Sequence, residues 1–114
     1  MSRAQEKFDQ AIWKTVIRIK PGKVMSYGQV ARMSGFPRHA RMVSKAMARS
    51  VEVLPWYRVV RSDRTLAFEV GSEAYQKQKS LLEHEGVQFI AGKVATLNVD
   101  AEKDLDELLW GAPD

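Results

Sequence analysis

Ser26-Tyr27-Gly28-Gln29-Val30-Ala31-Arg32-Met33-Ser34-Gly35-Phe36-Pro37-Arg38 is the stretch on which the fold turns. Ser26 followed three residues later by Gln29 forms a capping box, in which the hydroxyl accepts from an otherwise unpaired N–H and the amide reaches back. It predicts a short helix near residues 27–34. Gly35 suits the left-handed position after that helix. Pro37 suits the first turn of the next, where its missing N–H has no partner to lose. This second helix is expected to run to about Ser50. Two short helices joined by a tight Gly-containing turn are a helix-turn-helix signature.

Arg38, Arg41, Lys45 and Arg49 are spaced by three, four and four, which lines them along one side of the second helix. Ala40, Val43, Ala46 and Met47 line the other. No acidic residue stands at i±3 or i±4 within that helix, unlike a solvated face laced with ion pairs. The charge asymmetry extends beyond it. Residues 1–64 carry 14 Lys/Arg against 4 Asp/Glu, whereas residues 65–114 carry 4 against 10. A basic first half suits a polyanion, of which nucleic acid is the commonest, although a merely solubilising surface has the same composition.

Working outward, residues 4–19 read as an amphipathic helix through Phe8, Ile12, Val16 and Ile19, with Trp13 assigned to the core. Lys20-Pro21-Gly22 ends it. Leu54 to Tyr57 is expected as a loop, with short strands at 57–61 and 66–68. A helix is expected over 73–84, with Leu81 and Leu82 inward and Gly86 as its stop. Residues 87–97 look extended, and Asp100 could cap a last acidic helix containing Leu105, Leu108, Leu109 and Trp110. The 114 residues fit one domain, residues 1–114, with an acidic C-terminal extension at about 98–114. The fold class expected is mainly α with a small β element.

The chain has no cysteine, which excludes disulfides, thiolate metal sites and any thiol nucleophile. His39 and His84 lie in different elements without a ligand cluster, so no metal is expected. No phosphate-cradling loop is present, so no cofactor is expected. The polar start of the chain is not a signal peptide and no apolar run is long enough to span a bilayer. The expectation is a cytoplasmic monomer with no membrane partner.

Four segments, in order, resemble the DNA-binding domain of O6-alkylguanine-DNA alkyltransferases. Ile19 to Ala31 is similar to that family's Ile-Pro-x-Gly-x-Val-x-Thr/Ser-Tyr-Gly run. Gly35 to Val43 resembles its Gly-x-Pro…Ala-Arg-x-Val helix. Leu54-Pro55-Trp56-Tyr57-Arg58-Val59-Val60 resembles the Pro-Cys-His-Arg-Val active site, and Leu81 to Val87 the closing Leu-Leu-x-x-Glu-Gly. The likeness spans about residues 8–90 and implies a winged helix-turn-helix-like DNA-binding domain. Those enzymes move the alkyl group from guanine O6 to a cysteine thiolate through histidine and glutamate. Here Trp56 stands at the cysteine position and Tyr57 at the histidine position, while the glutamate is Glu85. Without a soft nucleophile or a base near neutrality the transfer is absent. Pro-Trp in place of Pro-Cys marks the alkyltransferase-like group, which binds alkylated guanine and passes the site to nucleotide excision repair.

The resemblance also implies roles for single residues. Tyr27 would press on the phosphate beside the lesion and help rotate the nucleotide out. Arg41 would enter the stack from the minor groove and fill the space left behind. Trp56 would wall the lesion pocket, with Val59 and Val60 at its border, Ser72 near its lip, and Tyr57 and Glu85 adjoining. Either Tyr57 keeps a hydrogen bond to Glu85 or Glu85 is structural. Ser26, Pro37, Arg38, Ala40, Lys45 and Arg58 would contact DNA. The implied partners are double-stranded DNA containing O6-alkylguanine and nucleotide excision repair proteins. Ser50-Val51 replaces the family's Asn-Pro, the following link is about two residues shorter, and the segment 68–73 diverges. Two other readings remain from the sequence. One is a winged-helix regulator without lesion specificity, which would dimerise on a defined sequence. The other is a base glycosylase, for which Glu85 is the available carboxylate.

Overall fold

In the computed structural model, which describes residues 3–100, the helical period of Phe8, Ile12 and Val16 becomes the buried face of α1, Arg3–Ile17. Each of these side chains contributes about 1.5–3 kcal/mol by leaving water. They pack with Ile19, Met25, Val30, Ala31, Val43, Ala46, Leu54 and Val59 in one cluster. A second cluster gathers Val24, Val60, Leu66, Tyr75, Leu82, Val87 and Val94. Trp13 is half-buried against the first, and its indole N–H donates to the Ala46 carbonyl at 2.7 Å.

Strand β1, Met25–Ser26, runs into helix α2, Tyr27–Met33. Ser26 caps it, its Oγ accepting from the Gln29 N–H at 3.0 Å. Only this half of the expected capping box forms. The Gln29 side chain is buried and donates instead to the Asp100 carbonyl at 2.7 Å. Gly35 ends the helix at φ +91, where a Cβ would be strained.

The second half of the motif is shorter than its spacing suggests. A 3-10 turn, Ala40–Met42, leads into α3, Val43–Ala48. Pro37 and Arg38 lie in the preceding turn, and Arg49 is the C-cap. The expected basic row therefore breaks at both ends. Arg49 makes two 2.7 Å hydrogen bonds to the carboxylate of the buried Asp9 on α1. Its acidic partner lies forty residues back, outside the range that helical spacing tests.

Trp56–Arg58 forms a 3-10 turn that feeds β2, Val59–Val60, which pairs in parallel with β1. The strand expected at 66–68 is absent, and residues 61–65 instead close a turn through the Arg61 N–H to Thr65 carbonyl bond at 2.9 Å. Helix α4 spans Glu73–His84, capped by Ser72 and followed by Gly86 at φ +91. Leu82 is fully buried and Leu81 half-buried. The extended stretch folds into a hairpin of β3, Phe89–Ile90, and β4, Lys93–Val94, turning on Ala91 and Gly92 at φ 53 and 80. This hairpin is the wing of a winged helix-turn-helix-like domain.

Residues 96–100 then return across the molecule. The Val24 N–H donates to the Asn98 carbonyl and the Asp100 N–H to the Val24 carbonyl, each at 2.9 Å. The Asn98 side chain, itself buried, bonds Gly22 and Gln88. Asn98 to Asp100 thus belong to the folded body rather than to an acidic extension. The helix expected beyond Asp100 lies outside the described residues. Among the described residues no helix is long and apolar enough to cross a membrane.

Candidate nucleic-acid interface

Tyr27 opens α2, and its half-buried ring stands between two concavities. One, of about 350 Å³, is lined by Tyr27, Ser44, Met47, Ala48, Glu52, Val53, Leu54, Trp56 and Phe68. The other, of about 300 Å³, is lined by Tyr27, Ala40, Arg41, Ser44 and Ala67. Tyr27 and Ser44 line both, so the two concavities adjoin, with Arg41 lining one and Trp56 the other. Burial pushes the Tyr27 hydroxyl above the ordinary phenol range, against the opposing positive charge of Arg61. At neutral pH the hydroxyl therefore keeps its proton and can donate to an anion.

Trp56 is held by its neighbours. Its ring meets Tyr57 edge-on at 5.8 Å and Phe68 edge-on at 6.3 Å. Such pairs stabilise by about 0.5–1.5 kcal/mol beyond area burial and fix the indole as a wall. Exposed Val53 and Phe68 form the lips. Arg41 lines the other concavity, and Arg38 and Lys45 of the same motif are exposed.

Behind the wall lies a second constellation. The Tyr57 hydroxyl donates to Glu85 Oε2 at 3.0 Å, and Arg58 Nε donates to Glu85 Oε1 at 3.0 Å. Arg58 Nη2 also donates to Oε2, and the Gly22 N–H donates to Oε1 at 3.2 Å. Arg58 Nη1 donates to the Ile19 carbonyl at 2.8 Å. The Arg58 hydrogen bond above all holds the Glu85 carboxyl below its usual range. Burial, then the bond to Glu85, pushes the Tyr57 phenol up. A low-pKa carboxylate whose oxygens all face donors is a clasp joining α4 to the residue 19–22 loop and the residue 56–58 turn.

The expected site residues separate accordingly. Tyr27, Trp56, Arg41 and Ala40 line the two concavities. Arg38 and Lys45 are exposed, and Pro37 is exposed in the turn. Ser26 is engaged as the α2 cap. Tyr57, Arg58 and Glu85 come together, yet as the clasp, and Arg58's donors are taken up by Glu85 and Ile19 rather than offered to phosphate. Val59 and Val60 do not border the cavity. Pairing with β1 turns them into the two core clusters, at 0% and 2% exposure. Ser72 caps α4, accepting from the Tyr75 N–H at 3.1 Å, and does not line the cavity. Sequence reasoning missed Met47, Glu52, Val53 and Phe68. Phe68, an aromatic in the segment that diverges, was the available signal. Among the described residues no group of three or more histidine, aspartate or glutamate side chains could hold a metal ion.

Comparison with known proteins agrees with this geometry. Residues 7–87 match the family described as 6-O-methylguanine DNA methyltransferase, DNA binding domain. Alkyltransferase-like protein 1 of Schizosaccharomyces pombe is 33% identical over 107 residues, covering 92% of this chain and 95% of that protein. A DNA base-flipping protein of Vibrio parahaemolyticus is 38% identical over 93 residues, covering 79% of this chain and 91% of that one. The crystal structure of the S. pombe protein in complex with damaged DNA containing O6-carboxymethylguanine superposes with a TM-score of 0.67 at 32% identity, over 86% of this chain and 93% of that one. With helix-turn-helix, wing and aromatic cavity in place and no cysteine anywhere in its sequence, the chain belongs to the alkyltransferase-like, DNA base-flipping group of the 6-O-methylguanine DNA methyltransferase DNA-binding family.

Proposed function

We propose that the protein binds double-stranded DNA carrying an O6-alkylated guanine, turns the damaged nucleotide out of the stack into the cavity beside Trp56, and leaves the alkyl group in place. One observation carries this reading: an apolar cavity of about 350 Å³, lined by Trp56 and Phe68, adjoins at Tyr27 and Ser44 the concavity that Arg41 lines. Base extrusion costs a few kcal/mol. Stacking on an aromatic wall returns about 1–3 kcal/mol, and a long cation entering the vacated space recovers more. Alkyl transfer to the protein needs a thiolate, and the chain has none.

The bound complex then serves as a signal. In this reading the lesion, held extrahelical, is what nucleotide excision repair proteins then recognise. We assign the protein that role, acting in the cytoplasm as a monomer.

The test is binding to two duplexes that differ by one O6-methylguanine in place of guanine, at fixed salt, with wild type and Arg41→Ala. Tighter binding to the lesion, weakened by Arg41→Ala, is expected. Equal binding would leave a winged-helix DNA-binding regulator without lesion specificity. Alkylated base recovered intact in the DNA after many binding lifetimes is also expected; released free base would point to a glycosylase.

A further inference from the structure

We propose that Glu52 makes the cavity selective by charge, so that neutral O6 adducts bind in preference to anionic ones. This rests on the cavity being the seat of the flipped base. Trp56, Phe68, Met47, Val53 and Leu54 give the cavity its apolar lining, and among the described residues Glu52 is the one charged residue that lines it.

Positive charge collects on the other side of Tyr27. Arg41 lines the adjoining concavity with Ala67. The Arg61 guanidinium donates to the Ala67 carbonyl at 3.2 Å and acts on the Tyr27 phenol. The charges thus differ across Tyr27, with Arg41 lining one side and Glu52, an exposed loop residue that also lines the adjoining cavity of Trp13 and Lys14, lining the other. An anionic adduct entering the Trp56 side gives up hydration, finds no cation lining the cavity among the described residues, and meets Glu52. A neutral adduct of the same shape is spared both penalties. Glu52 is exposed in the loop after α3, so it tunes the cavity without bearing on the core.

The S. pombe relative is seen with O6-carboxymethylguanine, which makes that adduct the natural probe. The experiment titrates the full chain, as wild type and Glu52→Gln, against four duplexes identical but for one nucleotide. These carry guanine, O6-methylguanine, O6-carboxymethylguanine or its neutral amide, O6-carbamoylmethylguanine. Wild type is expected to bind the amide about 3–10-fold more tightly than the carboxylate, with the ratio shrinking as salt rises. Glu52→Gln is expected to reduce that ratio by at least half. A wild-type ratio near one, or a ratio that Glu52→Gln leaves unchanged, overturns the proposal. Equal binding of the first two duplexes would instead remove the lesion reading itself, and the selectivity with it.

Discussion

The Arg58 guanidinium grips the Glu85 carboxylate two-handed, Nε to Oε1 at 3.0 Å and Nη2 to Oε2, with the two side chains only 12% and 15% exposed. Removing one hand strands the other charge. Arg58→Ala is expected to destabilise the fold by about 2–4 kcal/mol, read from denaturant midpoints. Placed in a Glu85→Gln background, the same change should cost much less, because the stranded carboxylate is gone. Additive losses would show that the pair is not coupled. The pH dependence has a definite sign. Because Arg58 lowers the Glu85 carboxyl, the unfolded chain binds the proton more tightly than the folded one. The contribution is complete above the ordinary glutamate range near about 4.3 and fades as pH falls through the depressed folded value. Arg58→Ala should flatten that acid limb of the stability curve.

Restoring the missing thiol should not restore the missing reaction. In Trp56→Cys the sulfur would neighbour Tyr57, whose phenol is pushed up, and Glu85, whose oxygens are occupied by Arg58, Tyr57 and Gly22. Nothing there takes a proton near neutrality. Protein mass spectrometry after incubation with O6-methylguanine duplex is expected to show no alkyl adduct at pH 7. Rapid adduct formation would mean that the clasp opens to supply a base. Trp56→Ala should weaken lesion binding by about 1–3 kcal/mol and change binding to undamaged DNA far less.

The basic row divides into three exposed residues and one, Arg49, that is half-buried and ion-paired. Arg38→Ala and Lys45→Ala should each lower the slope of log affinity against log salt by about 0.9, with little change in melting temperature. Arg49→Ala should do the reverse. Its guanidinium is spent on the buried Asp9 carboxylate, so melting temperature falls while the salt slope stays. Parallel salt titrations and thermal melts of the three variants separate the classes. An unchanged melting temperature for Arg49→Ala would contradict the assignment.

The wing carries a correctable strain. Ala91 sits at φ 53 before Gly92 in a two-residue hairpin turn, a conformation that favours Asn or Gly over Ala. Ala91→Asn is expected to raise stability by about 0.5–1 kcal/mol without altering DNA binding. A lower unfolding midpoint would show that the turn differs in solution.

The parts of this fold legible in sequence are those written in local signals. The Phe8, Ile12, Val16 period, the Ser26 cap, and Gly35 and Gly86 as stops located α1, α2 and α4 closely. Trp56 was legible because Pro55 and Arg58 flank it in a recognisable order. Strands of two residues carry no alternation, so the parallel β1–β2 pairing had no local trace. Val59 and Val60 were placed at the cavity by resemblance alone. That pairing turned them inward, and the loop at 52–54 and Phe68 supplied the lining instead. Charge spacing on one helix likewise could not reveal that Arg49 answers to a carboxylate on another.

The hydrogen bond from Gln29 to Asp100 spans 71 residues of sequence. On a chain emerging N-terminus first, α2 is made early, yet its buried amide has no acceptor until Asp100 has left the ribosome, and Val24 has no strand-like neighbour until Val99 has. The DNA-reading motif therefore completes its hydrogen bonding only through contacts of high sequence separation, which ties it to the far end of the folded body and slows the last step of its closure.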